Sequence, residues 1–200
     1  MNIVDKKKEQ YLESEHRHQY ILDAAIRVFN SKGYNMATTA EIAKEAGISE
    51  PTMYKHFLNK AALFMECFQL IVSQLLGIYR DIYKKNRDDE IAYLEGVSRA
   101  YIDFVLNNPD KSNFLVHLLS YKNDPNFNSA FNDFMESSIN GITKVLNSAK
   151  QKGLVNISGD VRLSAVWFVS QYFTIVSLTE FVDKEQLTSE NIIGLIRGLW

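Results

Sequence analysis

Apolar residues recur every three or four positions along nearly the whole chain, and no stretch alternates apolar and polar with a period of two. The pattern predicts an all-α protein of about nine helices. The first helix covers Ser14 to Lys32, with Ile21, Leu22, Ala25, Val28 and Phe29 on one stripe. Gly33 then supplies a left-handed stop. The charged residues ahead of Ser14 either fray or extend this helix. A short second helix opens on Thr38-Thr39-Ala40-Glu41, a capping box with Thr38 as N-cap and Glu41 three residues on. Ile42, Ala43 and Ala46 face inward, and Gly47, which tolerates positive φ, ends the helix. The third helix begins two residues later, with Ser49 as N-cap and Pro51 in the first turn, where its missing N–H costs nothing. Ile48 and Met53 are spaced as a hydrophobic staple. Met53 and Phe57 make the buried face, and the helix is expected to end around Phe57-Leu58.

The fourth helix runs from about Asn59 through Phe64, Phe68, Ile71, Leu75, Ile78 and Ile82, and a polar linker follows from Lys84 to Glu90. A fifth carries Leu94, Val97, Tyr101 and Phe104 and stops at Asn107-Asn108-Pro109. A sixth holds Phe114, Leu115, Leu118 and Leu119. Asp124-Pro125 reads as the N-cap and first residue of a seventh, with Phe127, Phe131, Phe134, Met135, Ile142 and Leu146 inward and Gly153 closing it. An eighth spans about 160–182, and a last one covers about 189–200. The stretch from Leu163 to Thr179 holds no charge, yet it falls short of the ~20 residues a membrane span needs and includes Ser164, Ser170, Gln171, Thr174 and Ser177. No membrane partner is expected; such a helix reads as one buried in an oligomer.

Composition narrows the picture modestly. Hydrophobic residues at 46% allow a sizeable core, charged residues stand at 23%, and only 9 Gly and 3 Pro punctuate the chain. The lone Cys67 excludes an internal disulfide and lies on an apolar helix face, where it reads as core. Net charge is -2; residues 1–60 hold nine Lys/Arg against eight Asp/Glu, so no basic field announces a nucleic-acid partner. The N-terminus, Met1-Asn2-Ile3-Val4-Asp5-Lys6-Lys7-Lys8, has no apolar run behind it, and a cytoplasmic location is expected.

Function is therefore sought in motif geometry. Two short helices joined by Gly47-Ile48-Ser49 form a helix-turn-helix from Thr38 to Phe57. With Ile42, Ala43, Ala46, Met53 and Phe57 packed inward, the second of them is free to enter a major groove. Its outward residues are Glu50, Thr52, Lys55 and His56, with Tyr54 beside them. The helix N-termini at Thr38 and Asn59 can direct backbone N–H groups at phosphates. The sequence from Thr38 to Lys60, with its Gly-x-Ser-x-x-x-Met-Tyr-x-His-Phe-x-x-Lys pattern, resembles the DNA-binding signature of the TetR family of bacterial regulators. Ala24-Ala25, Phe29 and Gly33-Tyr34 fit that family's first helix. The resemblance implies a DNA-binding domain over residues 1–58 and a helical ligand-binding and dimerisation domain over 59–200, with DNA released when a small molecule binds. It also implies that Tyr54, His56, Lys60 and, from the second helix, Thr39 clamp phosphates, and that Ser49, Glu50, Thr52 and Lys55 face bases or nearby phosphates. Glu50 departs from the small or basic residue expected there: it could accept from a cytosine amino group or repel the backbone.

One recognition helix reads only a few base pairs, so a near-palindromic double-stranded DNA operator and a homodimer through the helices at 160–182 and 189–200 are expected. A surplus of aromatics in the second domain suggests an apolar effector pocket lined by Tyr101, Phe104, Phe114, Tyr121, Phe131, Phe134 and Trp167, with Asn113, His117 and Gln171 as polar candidates. No enzyme is expected. His16 and His18 do not share a helical face, and there is no HExxH, phosphate-cradling Gly loop or CxxC, so no catalytic residue, cofactor or metal is assigned. The leading expectation is a DNA-binding regulator, most simply a repressor, and the alternative is a helical small-molecule-binding or enzymatic module whose helix-turn-helix does not serve DNA.

Overall fold

The computed structural model describes residues 3–178 and, beyond them, Phe181, Glu185, Gln186, Thr188, Glu190, Asn191 and Gly194. All described regular structure is helical: α1 (Ile3–Met36), α2 (Thr39–Glu45), α3 (Glu50–Met53), α4 (Lys60–Lys85), α5 (Glu90–Asn107), α6 (Pro109–Leu118), a 3-10 turn at Leu119–Tyr121, α7 (Asn128–Gln151) and α8 (Val161–Leu178). Of the helix expected at 189–200 only Glu190, Asn191 and Gly194 are described, each in helical conformation; the rest lies outside the described residues. The chain divides into two compact units, Met1–Ile71 and Val72–Trp200.

In the first unit, α1 begins at Ile3, so the charged leader extends the helix. At Gly33 (φ 74, ψ 160) the helical path breaks, as a residue without Cβ permits, and one more turn follows to Met36. The core joins Ile21, Ala25 and Phe29 of α1 to Ile42 and Ala43 of α2, to Met53 and Phe57, and to Leu63, Phe64, Cys67 and Ile71 of α4. Phe64 meets Phe29 edge-on at 5.0 Å and Tyr34 at 4.9 Å. Cys67 donates its thiol hydrogen to Leu22 O (3.7 Å), and burial pushes that thiol well up from its ordinary pKa. These contacts carry the first unit deeper into α4 than the 58/59 division expected from sequence.

In the second unit, α8 packs on α7 and α6, and α5 packs on α7. Leu94, Val97, Ile142, Leu146, Phe168 and Val169 are among its core. Glu90, 8% exposed, receives Ser148 Oγ at 2.6 Å and Lys152 Nζ at 2.7 Å, and the Lys152 bond leads in lowering its carboxyl pKa to about 2. The helix expected from Asp124-Pro125 starts later, at Asn128. Asp124 Oδ1 instead accepts from Asn126 N, and Asp124 O accepts from Phe127 N and Asn128 N, which closes a turn ahead of the helix. Among the described residues one helix is long and apolar enough to cross a membrane by length and composition. It is α4, not the uncharged run in α8.

Candidate nucleic-acid interface and effector residues

The helix-turn-helix is built by local rules. Thr38 Oγ1 accepts from Glu41 N, and the Glu41 carboxylate returns the contact to Thr38 N at 3.1 Å. Lys32, with these Thr38 bonds behind it, lowers the Glu41 pKa to about 2. At the C-terminus of α2, Gly47 has φ 67, and Ile48 N reaches back to Ala43 O at 3.0 Å. That pair is a Schellman stop, which needs a residue able to adopt positive φ. Nothing lies within 4 Å of where a Gly47 Cβ would stand, so the requirement is conformational and not one of space. Ser49 Oγ then caps α3 through Thr52 N at 3.3 Å and also meets Thr52 Oγ1 at 2.8 Å.

The recognition helix is shorter than its sequence predicts. Regular α structure ends at Met53, and Lys55 N bonds Thr52 O (3.1 Å) while His56 N bonds Met53 O (2.9 Å), a tightening from four-residue to three-residue spacing. Through this turn Phe57 is buried (2% exposed) and stacks on His18 at 4.6 Å. His18 Nε2 in turn lies 2.9 Å from Glu66. Burial, followed by the nearby charges of His18, Arg17 and Lys55, pushes the His56 pKa below its usual value.

The expected contact residues fall into three groups. Ser49, Tyr54 and Lys55 are exposed, and Thr38 beside them likewise; Thr52 and His56 are half-buried. Thr39 and Glu50, also half-buried, form a relay with Tyr54: Thr39 Oγ1 donates to a Glu50 carboxylate oxygen and lies 3.0 Å from Tyr54 Oη. Lys60 stands apart. Its Nζ donates to the carbonyls of Tyr34 (2.8 Å), Asn35 (3.3 Å) and Ala37 (2.9 Å) and sits 4.6 Å from the Tyr34 ring centre. All three ammonium hydrogens are thus committed to the chain end beyond Gly33. Neighbouring Asn59 caps α4 through Ala62 N at 2.8 Å.

The expected effector residues do not share one environment. Tyr101, Phe104, Phe114 and Phe131 are buried; Tyr121, Phe134 and Gln171 are half-buried. Asn113 and His117 are exposed, because Phe114 and Leu118 turn inward and a pair four apart at 113 and 117 shares another side of α6. Trp167, 46% exposed, lines a groove of about 280 Å³ with Leu146, Ile157 and Leu163. Sequence reasoning passed over Tyr79, whose pKa burial pushes up strongly, with Tyr101 and Tyr93 contributing. Tyr101 stacks on Tyr172 at 4.3 Å and donates its hydroxyl to Tyr172 O at 3.0 Å. Among the described residues, Tyr172 Oη and Gln171 Nε2 are buried without a hydrogen-bond partner. No cluster of three metal-ligating side chains occurs among the described residues.

Residues 21–67, which hold the whole helix-turn-helix, match the family of bacterial regulatory proteins of tetR type. Over that stretch, about a quarter of its length, the chain is similar to the TetR family. Its curated relatives include the HTH-type transcriptional activator FasR of Mycolicibacterium smegmatis, 33% identical over 94 residues, or 47% of this chain and 42% of FasR. The matched stretch thus spans about two fifths of the length of the curated relatives that match first. Among solved structures, the ketosteroid transcriptional regulator KstR2 of Mycobacterium tuberculosis is similar with TM-score 0.78 and 20% identity, covering 91% of this chain and 93% of that one. The transcriptional regulator FadR of Bacillus subtilis, solved in complex with stearoyl-CoA, is similar with TM-score 0.71 and 19% identity, covering 88% of this chain and 96% of that one. At these identities the two structures speak for the fold.

Proposed function

We propose that the protein is a transcriptional regulator that binds a near-palindromic operator as a homodimer and leaves it when a small, largely apolar effector binds the second unit. The observation that carries the DNA half is the capped α2–Gly47–α3 element, with Ser49, Thr52, Tyr54, Lys55 and His56 on its accessible side and a family match over the same residues. Thr39, Tyr54 and His56 contact phosphates; Ser49, Thr52 and Lys55 face bases or nearby phosphates. Lys60 serves the site from behind by holding the end of α1, since its donors are already used. Helix α8 supports the dimer. Its buried side carries Ala165, Phe168 and Val169, while Leu163, Val166 and Trp167 remain exposed. The effector reading rests on Tyr172 Oη and Gln171 Nε2, buried polar atoms that a ligand's polar group would satisfy, next to Tyr101. With that role goes the reading of a cytoplasmic, non-catalytic protein.

Selection of duplexes from a random pool tests this reading. Enrichment of a two-fold symmetric sequence, bound with a stoichiometry of two chains or a multiple of two, is the expected result. Failure to enrich any duplex at low salt would leave the helix-turn-helix without a DNA function.

A further inference from the structure

Glu50 is the one acid in the stretch from Ser49 to His56 that forms α3 and the turn after it, and its carboxylate is already engaged by Thr39. The direction of each proton in this cluster can be fixed. Thr39 has a single hydroxyl hydrogen and gives it to Glu50. The 3.0 Å contact between Thr39 Oγ1 and Tyr54 Oη must then run the other way, with Tyr54 donating. The relay Tyr54→Thr39→Glu50 therefore aims both hydroxyl protons inward. A DNA phosphate accepts hydrogen bonds and cannot donate them, so neither hydroxyl can serve the backbone while the relay stands. Breaking it frees two donors but strands a carboxylate beside a phosphate, in a shallow site where salt screens the repulsion only in part.

Resting on the DNA-binding reading above, we propose that Glu50 is a specificity-determining residue that works against non-specific DNA. Its carboxylate competes with phosphates for the Thr39 and Tyr54 hydroxyls, so that backbone contact alone is penalised. The penalty is offset where the sequence places a hydrogen-bond donor in the major groove within reach of the freed carboxylate, and the cytosine N4 and adenine N6 amino groups are the donors of that kind. Discrimination at this position thus arises from an unfavourable contact with wrong sequences as much as from a favourable one with the right sequence.

The test compares the full-length wild type with Glu50→Gln, which keeps shape and can still accept from Thr39 yet carries no charge and offers an amide donor. Two probes are used: a random-sequence duplex, and the duplex that the wild type selects from a random pool. Glu50→Gln is expected to bind the random duplex roughly tenfold more tightly at low salt, with the gain shrinking as salt rises, and to lose roughly tenfold in its preference for the selected duplex. A second variant, Thr39→Val, removes the hydroxyl that links Glu50 to Tyr54; in that background the Glu50→Gln gain is expected to fall by about half or more, since only direct repulsion is left. Equal or weaker binding of Glu50→Gln to the random duplex, with wild-type selectivity intact, overturns the inference and leaves the DNA-binding reading standing. Absence of binding to either duplex by the wild type overturns both.

Discussion

The two units treat their polar groups in opposite ways. In the first, the caps of the helix-turn-helix are closed by partners three residues away: Thr38 with Glu41, Ser49 with Thr52, Asn59 with Ala62. In the second, the pairings join distant residues, Glu90 with Ser148 and Lys152, and Tyr101 with Tyr172. Three polar atoms there, Tyr172 Oη, Gln171 Nε2 and the second carboxylate oxygen of Glu90, stay buried without a partner among the described residues. A buried, unpaired polar atom costs about 1 to 3 kcal/mol, and native structures keep few of them. The first unit therefore looks like a rigid reader whose shape precedes its ligand. The second carries a polar deficit that a ligand can fill.

The largest expected effect breaks the first unit alone. Phe57 is 2% exposed and anchors the turn after α3 beneath His18. Phe57→Ala should destabilise that unit by about 3 to 5 kcal/mol, the range for a large aromatic deleted from a core. Urea unfolding followed by circular dichroism should then separate into an early transition and a later one. A single early transition would mean that both units melt together, and the contrast drawn between them would fail.

This contrast also explains what could be read from the sequence. Capping boxes, the Gly47 stop and the Pro51 start act over three or four residues, so a linear pattern carries them, and the helix-turn-helix was legible in full except for its last turn. In that turn Lys55 N and His56 N bond three residues back, and Phe57, which follows, is buried against residues of α1 far away in sequence. The role of Lys60 was hidden for the same reason, since the carbonyls it holds lie 23 to 26 residues away. In the second unit the helices were legible from their apolar period, but the polar candidates were not. His117 and Asn113 are polar in an aromatic neighbourhood of the sequence, yet the phase of α6 leaves them exposed. Glu90, charged and buried, gave no advance sign, because its partners sit 58 and 62 residues further on.

A middle-sized effect sharpens the division of labour within the first unit. Lys60→Ala removes the donor to three carbonyls and should lower stability by about 1 to 2 kcal/mol, allowing for partial exposure of a charged hydrogen-bonding group. Its salt dependence of DNA binding should match the wild type. Lys55→Ala, at an exposed position, should change stability by less than about 0.5 kcal/mol and reduce the salt slope by about one unit. Chemical denaturation and a binding titration at several salt concentrations separate the two. If Lys60→Ala flattened the salt slope while leaving stability unchanged, the ammonium would belong to the DNA interface after all.

The smallest effect has an unusual sign. Tyr172→Phe deletes a hydroxyl that has no partner and leaves the ring, which stacks on Tyr101 at 4.3 Å. The backbone carbonyl of residue 172, which accepts the Tyr101 hydroxyl at 3.0 Å, is retained by the substitution. Most core substitutions destabilise, but removal of an unsatisfied buried polar group should leave the melting temperature unchanged or raise it, corresponding to up to about 1 kcal/mol. The same change should weaken any effector that places an acceptor or donor against that hydroxyl, by roughly tenfold for one lost hydrogen bond in a dry site. Stability and ligand affinity would then move in opposite directions, as they do where a site is built for a molecule and not for the fold. A thermal melt of the ligand-free protein decides the first half. If the variant melted lower by the equivalent of 1 kcal/mol or more, the hydroxyl would already be satisfied in the resting protein, and the polar deficit of the second unit would shrink to Gln171 Nε2 and Glu90 Oε2.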